Sequence, residues 1–220
     1  MSLPANYRLR EFQPGNLADI ERMNLMFYHP SVMKAKAYFG KGHVVRSQAD
    51  LHSVSPDMFE SKSNLTRQKD NISLAVTDSS GGIVGWVWFY HDTRHPLPLA
   101  VKNRFGANNR RCHIYQVSYE KLLSGGWPKH ILQKAKFVTP EYLLTERKGV
   151  IVEGLRMAIL KLRREFRVLK GSKAKLVLYA FIDPSNIASS KVVEKNGFIQ
   201  TDRKYSYDGD KVDLWVRIIK

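Results

Sequence analysis

The chain has 220 residues, of which 43% are hydrophobic and 25% are charged. This apolar fraction can fill a core, which excludes a disordered chain, and the length suits a single domain. No apolar stretch approaches the ~20 residues that cross a bilayer, so no membrane association is expected. The single cysteine, Cys112, excludes an intramolecular disulfide and argues against a cysteine-rich zinc site. We therefore expect a cytoplasmic protein.

The positive charge is large and unevenly distributed. The chain has 36 Lys and Arg against 20 Asp and Glu, a net charge of +16. Residues 102–175 hold 18 Lys and Arg, five Glu and no Asp, so this segment alone has a net charge of +13. Such a charge favours an anionic partner, such as nucleic acid or a polyphosphate cofactor. The other interpretation is a surface whose charge only keeps the protein in solution.

The N-terminal part of the chain contains strand and helix patterns. Residues 7–12 alternate polar and apolar side chains as a strand does, and a Pro-Gly-Asn start signal predicts a helix over 17–27. The apolar positions of this helix are Leu17, Ile20, Met23, Met26 and Phe27. Residues 30–70 are weakly patterned and predict a short helix and loops. Two strands over 71–77 and 83–91 flank a DSSGG turn and predict a hairpin.

The middle of the chain contains one predicted strand and one long helix. Residues 112–121 predict a strand inside a range, about 92–146, that otherwise has the pattern of an irregular insertion. A strongly amphipathic helix is predicted over 149–169. Its core positions include Ile151, Leu155, Leu162 and Phe166.

The C-terminal part predicts strand, helix and hairpin. Residues 175–182 are almost continuously apolar, which is typical of a strand buried on both faces. A short helix follows and stops at Gly197, and strands over 201–207 and 211–218 flank an Asp-Gly-Asp turn. The element order predicts a mixed sheet with helices on both faces.

A sequence signature lies between the buried strand and the final hairpin. From Asn186 to Phe198 the residues run Asn-x-x-Ser-x-x-Val-x-Glu-Lys-x-Gly-Phe. This pattern resembles that of the Gcn5-related N-acetyltransferase (GNAT) superfamily, and the closing hairpin resembles the acetyltransferases of ribosomal-protein N-termini. The resemblance implies an α/β, single-domain GNAT-like fold with a mixed central sheet and helices on both faces. It also implies an acyl-CoA-dependent N-acetyltransferase that moves an acetyl group from acetyl-CoA to a primary amine.

The resemblance implies a pyrophosphate-binding loop before the long helix. The family pattern there is Arg/Gln-x-x-Gly-x-Gly/Ala, and this chain has Glu146-Arg147-Lys148-Gly149-Val150-Ile151, in which only Gly149 fits. Exposed N–H groups at a helix start bind phosphate oxygens, and a glycine lets the backbone approach. The expected phosphate-binding residues are Arg147, Lys148, Gly149 and Val150.

The resemblance also implies a strand whose free backbone groups pair with the pantetheine arm of the cofactor. We place it at 115–121, with Val117, Ser118 and Tyr119 nearest the ligand, while 133–138 is the alternative segment. Asn186 and Ser189 are the remaining expected cofactor-binding residues. Asn186 equally suits a helix cap, and it can serve both purposes.

The candidates for proton transfer are polar residues near the same strands. The amine must lose a proton before it attacks, and a general acid can protonate the leaving thiolate. Glu120 is the expected base and Asp183 the alternative; Ser189 is the expected acid, with Tyr179 as the alternative. Many family members have a tyrosine on the last short helix, but the matching residue here is Val193.

The remaining expectations concern partners. The segment after the first helix resembles the substrate-side loop of the family, with Tyr28 and His29 as substrate contacts, and no metal is expected from the histidine spacing. Expected partners are an acyl-CoA and an amine on a small molecule, a protein N-terminus or a lysine. The basic segment suggests RNA or ribosome contact, and the chain is expected to be a monomer or homodimer. Two alternative functions remain: a catalytically impaired module that binds RNA or another anionic partner, and an aminoacyl-tRNA-dependent transferase.

Overall fold

The computed structural model describes residues 7–11, 16–29, 72–91, 112–127, 129, 133, 135–170, 175–207 and 210–219. Seven strands lie in these ranges: β1 (Arg8–Glu11), β2 (Ile72–Thr77), β3 (Ile83–His91), β4 (Cys112–Lys121), β5 (Lys175–Ile182), β6 (Ile199–Tyr207) and β7 (Asp210–Ile219). The described helices are α1 (Leu17–Tyr28), α2 (Pro140–Leu144), α3 (Val150–Lys170) and α4 (Ile187–Lys195). The predicted strands and the three longer helices are confirmed to within two residues at each end.

The strands form one mixed sheet in the order β1-β2-β3-β4-β5-β7-β6. Strand β4 pairs with β5 in parallel, whereas β1–β2, β5–β7 and β6–β7 are antiparallel pairs. The described residues group into two compact units. The first unit lies within 1–69, 73–87 and 119–154, and the second within 70–72, 88–118 and 155–220. The sheet confirms the predicted fold class, and the single-domain assignment stays a prediction.

The first unit has helices on both faces of β1 and β2. Leu9 pairs with Val76 and Arg10 pairs with Ala75, so neighbouring residues point to opposite faces. A Cβ added to Gly154 of α3 would lie 2.5 Å from a Val76 methyl group, so α3 packs tightly on that face. On the other face Arg10 forms a 2.6 Å ion pair with Asp19 of α1.

Helix α1 begins as its start signal predicts. The side chain of Asn16 accepts hydrogen bonds from the N–H groups of Ala18 and Asp19, and Met23 and Met26 are buried. Leu17 was expected on the buried face but is 58% exposed. It is the first residue of the helix, where a side chain extends past the packed part of the element.

In the second unit, the predicted core positions are confirmed. Leu155, Leu162 and Phe166 of α3 are buried, as is Ile151 in the first unit. Residues 176–180 of β5 are all buried, which is the pattern of a strand covered on both faces. On one face, Val177 and Tyr179 pack with Leu214 and Val216 of β7.

Two sequence predictions on the connections are corrected. The range 92–146 contains the helix α2 in addition to the predicted strand β4, so its described part is less irregular than expected. The alternative fourth strand over 133–138 is wrong, because residue 133 is helical and 135–138 contain no strand. Residues 92–111 and the predicted helix and loops over 30–70 lie outside the described residues. No described helix is both long and apolar enough to cross a membrane.

Candidate functional site

The pairing between β4 and β5 ends before either strand does. The parallel register runs from Cys112–Lys175 to Gln116–Tyr179, whereas β4 continues to Lys121 and β5 to Ile182. The paired register therefore ends at Gln116 and Tyr179, and Val117, Ser118 and Ala180 are the next residues beyond it. We call this feature the β4–β5 opening. Backbone N–H and C=O groups at its edges can pair with an extended ligand that contains amides.

The expected contacts on β4 differ in exposure. The side chains of Val117 and Tyr119 are buried, and that of Ser118 is partly exposed. A ligand in the opening would therefore meet mainly backbone groups of β4. The side chain of Glu120 lies outside the described part of the chain, so its role as a base stays a prediction.

Asn186 caps the helix that follows β5. Its Oδ1 accepts a 3.0 Å hydrogen bond from the N–H of Ser189, and the Ser189 side chain is 9% exposed. The helix ends at Lys195 and is capped by Asn196; Gly197 follows with a φ of 72°, which suits glycine, and Phe198 is buried in the core. The structure thus shows the cap and the helix stop, and the contact of Asn186 with a cofactor stays a prediction.

The segment expected to bind phosphate lies directly before α3. Gly149 has φ of 72°, and its carbonyl accepts the 3.1 Å hydrogen bond from Glu153 that opens the helix. The N–H groups in the first turn of a helix have no acceptor within the helix, and the positive end of the dipole lies there. The side chain of Lys148 is 84% exposed and lies 3.5 Å from Glu146 in a solvent-exposed ion pair, which contributes little to stability.

Arg147 has a different role from the one expected. Its side chain was expected to bind phosphate, but the residue is 8% exposed and its guanidinium donates to the carbonyl oxygens of Thr145, at 2.8 Å, and Tyr142, at 2.7 Å. The guanidinium also lies 4.2 Å from the centre of the Tyr142 ring. These contacts hold the arginine side chain inside the protein. The N–H groups that could have bound a phosphate donate to backbone carbonyl oxygens instead. Only its backbone is left for the proposed site.

Sequence reasoning missed Tyr142, which supports the loop before α3. Its hydroxyl donates to Asp78 at 2.8 Å, and the Arg22 guanidinium lies 5.0 Å from its ring centre. Burial and the Asp78 hydrogen bond raise the pKa of Tyr142 above its ordinary value. Burial raises the pKa of Asp78, but hydrogen bonds from Ser80, Tyr142 and the Gly82 N–H outweigh it, and the net pKa is lowered. A five-residue helix has no periodicity that reveals such a residue.

His29, at the end of α1, packs against the turn that follows β4. Its Nε2 is 2.9 Å from the carbonyl oxygen of Gly125, and its ring meets Trp127 edge to face at 4.5 Å. A Cβ at Gly126 would lie 3.2 Å from the same Nε2. His29 therefore fixes the turn after β4. Its contact with substrate, and that of Tyr28, whose side chain lies outside the described residues, stay predictions.

The alternative proton-transfer residues are held by the fold. Asp183 accepts from the N–H and the hydroxyl of Ser185, at 2.8 and 2.7 Å, in the turn before α4. Tyr179 is 2% exposed in the sheet core, and Val193 is fully buried on α4. Among the described residues, no group of three or more His, Cys, Asp or Glu is arranged to hold a metal ion.

No protein-family model and no curated protein matches the chain. Solved structures do resemble it. A ribosomal-protein-S5-alanine acetyltransferase from Vibrio fischeri has 17% identity and a TM-score of 0.51, with 96% of this chain and 92% of that one covered. A GNAT-family acetyltransferase from Bacillus anthracis has 16% identity and a TM-score of 0.53, with 97% and 94% covered. A ribosomal L7/L12 alpha-N-protein acetyltransferase in complex with coenzyme A has 15% identity and a TM-score of 0.51, with 99% and 97% covered.

The likeness extends over nearly the whole of each chain. At these identities it concerns the fold. The chain has the fold of the GNAT acetyltransferases, as the signature from Asn186 to Phe198 predicts.

Proposed function

We propose that the chain is an acyl-CoA-dependent N-acetyltransferase that transfers an acetyl group from acetyl-CoA to a primary amine. The β4–β5 opening carries this proposal. Backbone N–H and C=O groups at strand edges beyond the paired register can form hydrogen bonds with a ligand. The amides of a pantetheine arm can supply them. The solved relative that holds coenzyme A has the same fold, which supports the proposal.

The residues at the site suit the parts of the ligand. Acetyl-CoA supplies an acetyl group activated as a thioester. The backbone of Val117, Ser118 and Tyr119 binds the pantetheine arm. The positive φ of Gly149 and the adjacent start of α3 suit phosphate oxygens, and the exposed Lys148 adds positive charge, while Arg147 and Val150 contribute backbone groups.

The proposed proton transfers use residues beside β4 and α4. Glu120 removes a proton from the acceptor amine, because only the free base is nucleophilic. Ser189 donates a proton on the thiolate side, and Asn186, which orients the first turn of α4, contacts the ligand with the rest of its amide. At Val193 the chain has no hydroxyl, so that position takes no part in proton transfer.

The acceptor is proposed to be a primary amine on a protein N-terminus, contacted by Tyr28 and His29. Two of the similar structures are named for acetylation of ribosomal proteins, at an alanine of S5 and at the alpha-amine of L7/L12. A lysine or a small-molecule amine is the other class of acceptor. The test is an assay of thiol release from acetyl-CoA with an alanine-initiated peptide, the same peptide with a blocked N-terminus, and spermidine. Release with the free peptide alone supports the proposal, and no release with any amine contradicts it.

A second candidate function is binding of RNA, through the outer surface of α3. Arg156, Arg164 and Arg167 are exposed on this helix. Lys161 of the same helix forms an ion pair with Glu165 at 2.6 Å. Helical spacing places these arginines within one broad surface about 16 Å long, which suits the phosphate backbone of a nucleic acid. The same surface would serve a ribosome-associated enzyme or an aminoacyl-tRNA-dependent transferase. A salt titration of RNA binding separates it from a surface that only solubilises the protein.

A further inference from the structure

Trp215 of β7 has a buried hydrogen-bond donor without an acceptor. The residue is 9% exposed, and its indole N–H is buried and has no acceptor within the described part of the chain. Two of the other three tryptophans have an acceptor: the indole of Trp86 donates to Ser73 Oγ at 2.6 Å, and that of Trp127 donates to the Leu123 carbonyl at 3.1 Å. A buried N–H that has lost water without gaining a partner is costly, so it needs an explanation.

The register of the sheet fixes the face on which Trp215 lies. Trp215 pairs with Ala180 of β5, and residues directly opposite in an antiparallel pair point to the same face. Alternation places Arg217 on that face too. Arg217 donates to the carbonyl oxygen of Asn196 at the end of α4, and a Cβ at Gly197 would lie 3.7 Å from its guanidinium carbon. Trp215 and Ala180 therefore face the layer that contains α4.

The same face continues across β5 to β4. His113 of β4 meets Phe166 of α3 edge to face at 5.0 Å, so alternation places Val117 on the helix-covered face as well. On β5, Ala180 comes directly after Tyr179, the last residue paired with β4. Trp215 thus lies opposite the first β5 residue of the β4–β5 opening.

The chemistry of an indole selects the partner. An indole N–H donates and cannot accept, so only a group with a lone pair satisfies it. The pantetheine arm of a coenzyme A thioester carries amide carbonyl oxygens, and the proposed function places this arm in the opening. A water molecule is the other possible partner, because it also accepts a hydrogen bond.

We infer that the indole N–H of Trp215 donates a hydrogen bond to an amide carbonyl oxygen of the pantetheine arm bound in the β4–β5 opening. The inference rests on the proposed function. Trp215 would then recognise the pantetheine arm through its side chain, in addition to the backbone hydrogen bonds from β4. The free protein bears an unsatisfied donor that the ligand satisfies, which favours binding.

The experiment uses coenzyme A and adenosine 3′,5′-bisphosphate, which carries the same nucleotide phosphates but no pantetheine arm. Trp215→Phe should weaken coenzyme A about three- to tenfold by calorimetry, which is the usual effect of one hydrogen bond. The affinity for the bisphosphate should stay within about twofold. The melting temperature of the free variant should be unchanged or higher, since an unsatisfied donor has been removed. The control, Trp86→Phe, should leave both affinities unchanged. It should lower the melting temperature, because the Ser73 hydroxyl loses its hydrogen bond from the indole.

A second measurement uses the wild-type protein and so does not depend on the folding of a variant. In ¹⁵N-labelled wild-type protein, coenzyme A should shift the indole resonance of Trp215 and slow its exchange with water, and the bisphosphate should do neither. An unmoved resonance with normal coenzyme A binding overturns the inference and assigns the donor to water. Equal weakening of both ligands by Trp215→Phe, with a lower melting temperature, also overturns it, because that pattern indicates a structural role. Absence of coenzyme A binding by the wild-type chain overturns the proposed function and this inference together.

Discussion

The hydroxyl of Tyr142 donates a 2.8 Å hydrogen bond to the carboxylate of Asp78, which joins α2 to the turn between β2 and β3. The other carboxylate oxygen of Asp78 accepts from the N–H groups of Ser80 and Gly82, so one side chain organises the whole turn. Tyr142 in turn supports the guanidinium of Arg147. Because Gly149 follows two residues later, this contact holds the proposed phosphate-binding loop in place.

Removing this hydroxyl should destabilise the first unit. Tyr142→Phe removes one hydrogen bond to an ionised group, and such bonds contribute ~1.5–3 kcal/mol. We expect the free energy of unfolding at neutral pH to fall by about that amount, measured by urea denaturation. A loss below about 0.5 kcal/mol would show that water replaces the hydroxyl.

The advantage of the wild type over Tyr142→Phe should depend on pH at both extremes. The pKa of Asp78 is lowered in the folded state, so the stability it supplies is present above its ordinary value of 3.8 and is lost as the pH falls below it. The pKa of Tyr142 is raised, so its contribution is present below its ordinary value of 10.0 and is lost as the pH rises above it. Denaturation at a series of pH values should show the largest difference in unfolding free energy between wild type and variant at pH values between 3.8 and 10.0. A stability difference that stays constant over the whole pH range would contradict the coupling of Tyr142 to Asp78.

The two leucines Leu155 and Leu160 of α3 offer a matched pair. Leu155 is fully buried, whereas Leu160 is 42% exposed. Leu155→Ala should cost ~2–5 kcal/mol of unfolding free energy because it leaves a cavity, and Leu160→Ala should cost far less. Equal effects in thermal and urea denaturation would mean that α3 buries a different face.

The contact between His29 and the turn after β4 can be isolated by a pair of glycines. Gly125 and Gly126 both have positive φ, at 74° and 72°, but only a Cβ at Gly126 would meet His29. Gly126→Ala should therefore lower the melting temperature more than Gly125→Ala does, because it adds crowding to the same backbone strain. In a His29→Ala background the two alanine variants should become equal. Persistence of the difference would exclude His29 as its cause.

RNA binding by α3 should depend on position as well as on charge. Replacing Arg156, Arg164 and Arg167 by Glu should weaken RNA binding by more than tenfold and flatten its dependence on salt. The control replaces three exposed lysines elsewhere, Lys191, Lys195 and Lys211, by Glu, with the same change in net charge. Equal losses in both variants would indicate a diffuse electrostatic effect. No binding by the wild type near physiological salt removes RNA as a partner.

The parts of the fold predictable from sequence were those with a local signal. The period of α3, the apolar run of β5, and the Asn186 and Gly197 signals at the ends of α4 all act within a few residues. The side chain of Arg147 was misplaced because its partner, Tyr142, lies on a short helix without periodicity. The end of the β4–β5 pairing depends on how far two distant segments stay in register, and no local pattern encodes that. The same holds for Trp215, whose missing acceptor is visible only when its neighbours are in place.

Calorimetric titration of the protein with coenzyme A and acetyl-CoA tests the central claim most directly. The account predicts binding of both, and at a hundredfold excess over Kd the ligand should stabilise the fold by about 2.7 kcal/mol. Gly149→Leu should abolish the binding because a side chain would stand where the phosphates approach. Gly81→Leu is the control, since Gly81 has φ of 81° and open space around it, and it should bind normally. If millimolar coenzyme A and acetyl-CoA give neither heat nor a shift in melting temperature with the wild-type chain, the claim that this protein is an acyl-CoA-dependent acetyltransferase is contradicted.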